Sequence, residues 1–150
     1  MVLPASSAAQ QASFSVAATP NGPYWSRRHI EELFSQWHTT NLLPSAQLVV
    51  TELVAEAVRQ TSPMTPEAQA QYLHDPASVS GSDLARMGTV YLRLSVEPSR
   101  LVVEVWDRSD QQPAAPSHDG VSLADICTRQ GWYLCEPSGR VVWAEIAVPS

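Results

Sequence analysis

The segment TVYLRLSVEPSRLVVEVWD, residues 89–107, holds the two most regular strand patterns of the chain. Apolar residues take every second position on both sides of the turn EPSR: Val90, Leu92, Leu94 and Val96 before it, and Leu101, Val103 and Val105 after it. Because the side chains of a strand point alternately to its two faces, each half presents one apolar face. The segment therefore predicts an antiparallel β-hairpin with one buried face.

Two further stretches carry strand patterns. The segment GWYLCEPSGRVVWAEIAV, residues 131–148, predicts a second hairpin that turns at EPSG, and FSVAA, residues 14–18, predicts an edge strand. The alternation places Trp106 and Trp143 on the sheet face opposite to Val105 and Val142. We therefore expect one of these tryptophans to border an interface.

Helical periodicity appears in three places. Residues 23–39 repeat apolar side chains at helical spacing, residues 121–130 form a shorter helical segment, and Ser45 is the expected N-cap of a second long helix. The apolar stripe of that second helix consists of Leu48, Val49, Leu53, Val54, Ala57 and Val58. The element order of strand, helix, helix, hairpin, helix and hairpin predicts an α/β fold: a two-layer sandwich of a mostly antiparallel sheet with helices on one face.

The chain has the length of one domain. Residues 1–12 are rich in Ala, Ser and Gln and are expected to form a flexible tail, and residues 13–150 the domain. Residues 61–88 interrupt the periodicity with three prolines and predict an insertion, in which EAQAQYLH would add a helical turn or two. This insertion is either a partner-binding loop or a tolerated addition.

Composition limits the function. All nine basic residues are arginines, so the chemistry of a Walker-A lysine or a Schiff base is excluded. A net charge of −6 argues against a nucleic-acid partner. The segment MVLPASSAAQQAS lacks the features of a signal peptide, and no stretch reaches the ~18 apolar residues of a membrane span, so we expect a cytoplasmic protein without membrane contact.

Four segments carry the remaining motifs, and together they resemble the GHKL superfamily of histidine-kinase-like ATPases. LVVTELVAEAVRQ is similar to the N-box helix, VEVWDRSD to the segment with the adenine-binding aspartate, DGVSL to the glycine motif and SGRVVWAEI to the closing strand. The likeness covers residues 14–60 and 89–148 and is greatest to the small anti-sigma-factor serine-kinase-like branch. It implies the Bergerat type of two-layer sandwich, with ATP and Mg²⁺ bound between the sheet and the helices.

The resemblance assigns roles to two residues that also have simpler interpretations. It makes Glu52 the catalytic carboxylate that activates the nucleophile, and Asp107 the acceptor for the adenine amino group. The alternative for Glu52 is a solvated charge on a helix face, and the alternative for Asp107 is a strand-ending residue in an Asx-turn.

The other implied site residues depart from the family pattern. Glu56 would be the magnesium ligand, but the family usually has asparagine there, and the extra charge would cost about 1–3 kcal/mol against a triphosphate. Gly120, Ser122 and Leu123 would contact the cofactor, but Ser122 replaces the second glycine of Gly-x-Gly-Leu. These departures indicate a degenerate nucleotide site.

The resulting prediction is a regulatory protein that acts through protein binding, with weak or absent nucleotide turnover. The resemblance implies a sigma factor or an anti-sigma antagonist-like protein as the partner, and a homodimer as one assembly. Two alternatives stay open: an active, magnesium- and ATP-dependent protein serine kinase that is also an anti-sigma factor, and a nucleotide-free interaction domain.

Overall fold

The computed structural model describes residues 10–61, 65–75, 87–113 and 123–148. Its elements, in chain order, are β1 (Gln10–Ala17), α1 (Gly22–Gln36), a 3₁₀ turn (Thr40–Leu42), α2 (Leu43–Thr61), α3 (Pro66–His74), β2 (Thr89–Val96), β3 (Arg100–Asp107), α4 (Leu123–Ile126), β4 (Arg129–Leu134) and β5 (Arg140–Ala147).

The five strands form one antiparallel sheet in the order β1-β2-β3-β5-β4. Both hairpins are confirmed, and β1 lies at an edge of the sheet because, among the described strands, it pairs with β2 alone. Helices α1 and α2 pack together, and α2 also contacts β3 and β5. The α/β fold with an antiparallel sheet and helices is therefore as predicted.

The core lies between the sheet and the helices. Alternate residues of β2 and β3 are buried, as the sequence pattern predicts. In α1 the buried positions Gly22, Ser26, Ile30 and Phe34 are spaced four apart, so one narrow stripe faces α2. The predicted stripe of α2 is buried except for Leu48, which is exposed on the outer side of the helix.

Several element boundaries differ from the sequence-based prediction. The helix predicted over residues 121–130 is shorter: α4 ends at Ile126, and residues 129–130 belong to β4, where backbone pairing with β5 holds them in a strand. Strand β1 begins at Gln10, inside the segment expected to be a tail, because residues 10–12 pair with residues 94–96 of β2. Helix α2 begins at Leu43, so Ser45 is not its N-cap. The 3₁₀ turn leads directly into the helix, and Pro44 suits the first turn because that turn needs no backbone donor from it.

Helix α3 confirms that the segment EAQAQYLH is helical. Its N-cap is Thr65, whose side-chain oxygen accepts a 3.1 Å hydrogen bond from the backbone N–H of Ala68. Among the described residues, no helix is both long and apolar enough to cross a membrane.

Candidate functional site

The structure separates the two glutamates of the N-box-like helix. Glu52 is exposed on the surface of α2, whereas Glu56, one turn later, is 9% exposed and faces the sheet. Asp107, at the end of β3, is 1% exposed. Glu56 and Asp107 therefore share a buried region between α2 and the sheet, and Glu52 lies outside it.

Arg140, the first residue of β5, joins the two buried carboxylates. It is the register partner of Asp107 in the β3–β5 pair, so the two side chains point to the same, helix-facing side of the sheet. The Nε of Arg140 donates to Oδ1 and Oδ2 of Asp107 at 3.1 and 3.0 Å, and Nη1 donates to the carbonyl of Gln111 at 2.9 Å. The guanidinium is fully buried.

The third contact of Arg140 reaches α2. Its Nη2 lies 3.8 Å from Oε1 of Glu56, whose Oε2 accepts a 3.2 Å hydrogen bond from Nη2 of Arg59. Within the part of the chain that the structure describes, Nη2 of Arg140 makes no hydrogen bond. Two carboxylates and one guanidinium thus form a buried cluster, which we call the Arg140 cluster: Glu56, Asp107 and Arg140.

Asp107 also forms an Asx-turn, which was the alternative interpretation of this residue from the sequence. Its Oδ1 accepts a 2.8 Å hydrogen bond from the backbone N–H of Ser109, two residues on, as in an Asx-turn. Burial raises the pKa of the Asp107 carboxyl, and the hydrogen bonds from Ser109 and Arg140 act in the opposite direction. Both oxygens of this carboxylate are therefore buried and already bonded.

The structure does not place the three remaining predicted site residues beside the Arg140 cluster. Gly120 and Ser122 lie outside the described residues. Leu123 begins the short helix α4 and packs, half-buried, against the main core, as does Cys127 at the end of that helix. Burial raises the pKa of the Cys127 thiol, which keeps it protonated at neutral pH.

The arrangement does not fit ATP and Mg²⁺ as the resemblance would place them. An adenine amino group needs an accessible acceptor, but the oxygens of Asp107 are bonded to Arg140 and Ser109 and closed off from solvent. A divalent cation needs several oxygen ligands, but a guanidinium stands between Glu56 and Asp107. No group of three potential metal ligands occurs among the described residues. Cofactor binding stays a prediction from sequence.

Two surface grooves of the described part of the chain lie away from the Arg140 cluster. One, of about 520 Å³, is lined mainly by side chains on the face of the sheet that the helices do not cover. A second follows the outer side of α1. Neither is lined by Glu52, Glu56 or Asp107.

Sequence reasoning missed Arg140, although the segment that contains it was recognised. The sequence does contain a signal for it. Arg140 has the same two-residue spacing as Val142, Ala144 and Ile146, which face the core, so the strand pattern places a charged residue on the buried side of the sheet. A charge at such a position requires an opposite charge nearby, and the neighbouring strand ends in Asp107.

Comparisons with known proteins do not identify the chain. No protein-family model matches it, and no curated protein is significantly similar to it.

Proposed function

We propose that this chain is a regulatory protein-binding domain of the anti-sigma type that works without a nucleotide. The observation that carries the proposal is the bond between Arg140 Nε and both carboxylate oxygens of Asp107. In the resemblance, Asp107 is the residue that holds adenine. Here an internal guanidinium takes the place that the adenine amino group would need.

Opening the Arg140 cluster costs free energy, and this cost lowers the apparent affinity for a nucleotide. A ligand that takes over Asp107 must first displace Arg140, which leaves Glu56 and Asp107 buried without the cation between them. Breaking a buried ion pair in this way costs about 3–5 kcal/mol. Such a cost weakens the apparent affinity by roughly 100- to 5,000-fold, since each 1.4 kcal/mol is a factor of ten.

The charge at the position that the resemblance assigns to the magnesium ligand also lowers the expected affinity for a nucleotide. Glu56 carries a negative charge where the family has a neutral amide, and its carboxylate already lies beside Arg59 and Arg140. Glu52, the candidate base, is exposed on α2 and is not a member of the Arg140 cluster. These features support a function that needs no nucleotide. The resemblance adds the rest of the proposal: function through protein contacts, with a sigma factor or an anti-sigma antagonist-like protein as the expected partner.

Calorimetric titration with ATP, with and without Mg²⁺, tests the nucleotide part of the proposal. We expect no measurable binding by the wild type at ~1 mM ATP. The double variant Arg140→Met/Glu56→Asn removes the guanidinium and one of the two carboxylates that it balances, and should gain at least about 100-fold in affinity. Adding Asp107→Asn to that variant should abolish the gain, with circular dichroism verifying that each variant is folded.

Two outcomes would overturn this part. Micromolar binding of Mg-ATP by the wild type, lost in Asp107→Asn, would indicate a working nucleotide site and favour the serine-kinase alternative. No binding by any folded variant would mean that the pocket is missing altogether and that Arg140 does not close it.

The protein-binding part has its own test. Sigma factors and anti-sigma antagonists encoded in the same genome are titrated onto the immobilised wild type, with and without Mg-ATP. We expect one of them to bind with a dissociation constant that does not change with nucleotide. Binding that requires ATP, or binding by none of them, would contradict the proposal.

A further inference from the structure

The outer side of β4 is an unpaired edge of the sheet within the described part of the chain. β4 is the last strand in the order β1-β2-β3-β5-β4, and among the described strands only β5 pairs with it. In an antiparallel pair, residues whose backbone groups bond across the pair alternate with residues whose backbone groups point away from it. The outer side of β4 therefore presents N–H and C=O groups that have no strand partner.

The hydrogen bond that follows β4 shows which of its residues present these groups. The N–H of Cys135 donates to the carbonyl of Gly139 at 2.9 Å, so the backbone of Cys135 bonds across the β4–β5 pair. The register continues without a break from there into β4, and every second residue counted back from Leu134 directs its backbone groups outwards. We call these the outer residues of β4: Gln130, Trp132 and Leu134.

The side chains of the outer residues lie on the helix-facing side of the sheet, at its margin. Trp132 pairs in register with Val142, which packs against the core, and Leu134 pairs with the buried Arg140. Register partners share one face of the sheet. Even so, Trp132 is 38% exposed and Leu134 is 58% exposed. The edge thus combines free backbone groups with exposed apolar side chains.

The two edges of the sheet differ in their side chains. The exposed side chains of β1 are glutamine, serine and alanine, and β1 contains none of the large exposed apolar residues. β4 carries three of them in succession: Trp132, Tyr133 and Leu134. It contains neither proline nor lysine, which commonly keep an edge strand from pairing with another chain. β4 is therefore the edge that is suited to a further strand.

We propose that the outer side of β4 binds an extended segment of a partner protein, which joins the sheet as a further strand antiparallel to β4. The free N–H and C=O groups specify this occupant, because an extended backbone supplies matching groups at the same spacing. The inference goes beyond the function proposed above. It assigns a place and a mode of protein binding, and it does not depend on the Arg140 cluster or on a nucleotide.

The side chains of β4 define the chemistry of the segment. In antiparallel addition, the residues that bond to the outer residues place their side chains beside Trp132 and Leu134, so they are apolar. Arg129 is the only charged residue of β4 and is exposed. Its neighbour Glu145 is 4.0 Å away and lies closer to Arg100, at 3.1 Å. Arg129 therefore favours a carboxylate at the C-terminal end of the segment.

Amide hydrogen exchange of the full-length chain tests whether the edge is free. The N–H groups of the outer residues should exchange at least about tenfold faster than that of Tyr133, which points to β5. Protection of the outer residues in the chain alone overturns the proposal. Protection that grows with protein concentration would show that a second copy covers the edge, and protection that does not would show that another part of the chain covers it.

The probe for binding is a synthetic peptide of about seven residues that alternates valine with threonine and ends in glutamate. Calorimetric titration should give a dissociation constant on the order of 100 µM, and the bound peptide should protect the N–H groups of the outer residues from exchange. No binding at ~1 mM peptide overturns the proposal.

Two N-methylated forms of the peptide separate strand addition from contact between apolar surfaces. In the proposed arrangement the valine amides face β4 and the threonine amides face solvent. Methylation of the valine amides should weaken binding by at least about 30-fold, whereas methylation of the threonine amides should leave it unchanged. Equal effects of the two modifications contradict the proposal.

Variants of the chain test the same edge. Gln130→Pro removes an outward N–H without breaking a bond to β5, and Leu134→Lys places a charge beside the apolar side chains; each should weaken binding at least about tenfold. The matched control is Leu73→Lys on α3, where the leucine is 57% exposed, and it should bind like the wild type. Circular dichroism verifies folding. Full affinity in folded Leu134→Lys, or an equal loss in Leu73→Lys, overturns the proposal even if Gln130→Pro does not fold.

Discussion

Replacing Arg140 by methionine is expected to lower the free energy of unfolding by about 3–5 kcal/mol, the largest effect that we expect of any single substitution outside the apolar core. Methionine fills much of the same space but carries no charge. Asp107 would lose its Nε–H donor and Glu56 the buried one of its two neighbouring guanidinium groups, while both carboxylates stay buried. For a domain of this size, the loss corresponds to a decrease in Tm of roughly 6–20 °C.

The matched control is the same substitution at an exposed arginine. Arg28 lies on α1 with its side chain 61% exposed and 3.9 Å from Glu31, so Arg28→Met should cost no more than about 0.5 kcal/mol. Chemical denaturation of both variants gives the comparison. Equal stability of the two variants would mean that the Arg140 cluster does not exist in solution.

Substituting Gly139 by alanine is expected to destabilise the fold by about 2–4 kcal/mol. Gly139 has φ = +88°, a conformation that a residue with a Cβ adopts only with strain. A Cβ at this position would also lie 2.5 Å from Cε2 and Cζ2 of the Trp106 indole, which covers the glycine. The ring would have to move, with loss of the 3.3 Å hydrogen bond from its Nε1 to the carbonyl of Ser138.

Gly131 provides the control because it also lies beneath a tryptophan. A Cβ there would lie 2.8 Å from Cζ2 of Trp143, but Gly131 is in a strand and its φ is not positive. Gly131→Ala should therefore cost about 0–1 kcal/mol, since only the ring must shift and the unfolded chain loses some entropy. Urea unfolding of both variants measures the difference. Similar losses at the two glycines would show that backbone strain at Gly139 is not the cause.

The period-two patterns of residues 89–107 and 131–148 predict both hairpins because one face of each strand is buried, and burial selects apolar residues at alternate positions. The start of β1 could not be predicted in this way. Its first residues, Gln10 and Gln11, are polar and exposed, and they belong to the strand only through backbone pairing with β2.

The candidate site was predictable only in part. The motifs indicated Glu56 and Asp107, which the fold does bring together, and the Asx-turn at Asp107 was one of the two stated interpretations. Arg140 was missed because its proximity to Asp107 depends on the register of β3 and β5, which lie 33 residues apart in sequence at this pair. The roles of Glu52 as a catalytic base and of Gly120 and Ser122 as phosphate contacts stay predictions.

The most direct test of the central claim, that the Arg140 guanidinium closes the site at Asp107, is an NMR spectrum of the arginine Nε–H groups. The chain has nine arginines, so the spectral region of their Nε–H groups holds few signals. We predict one Nε–H signal in slow exchange with water, absent in Asp107→Asn and unchanged when Mg-ATP is added. An Arg140 signal that exchanges as fast as those of the exposed arginines, or one that shifts with Mg-ATP, would contradict the claim.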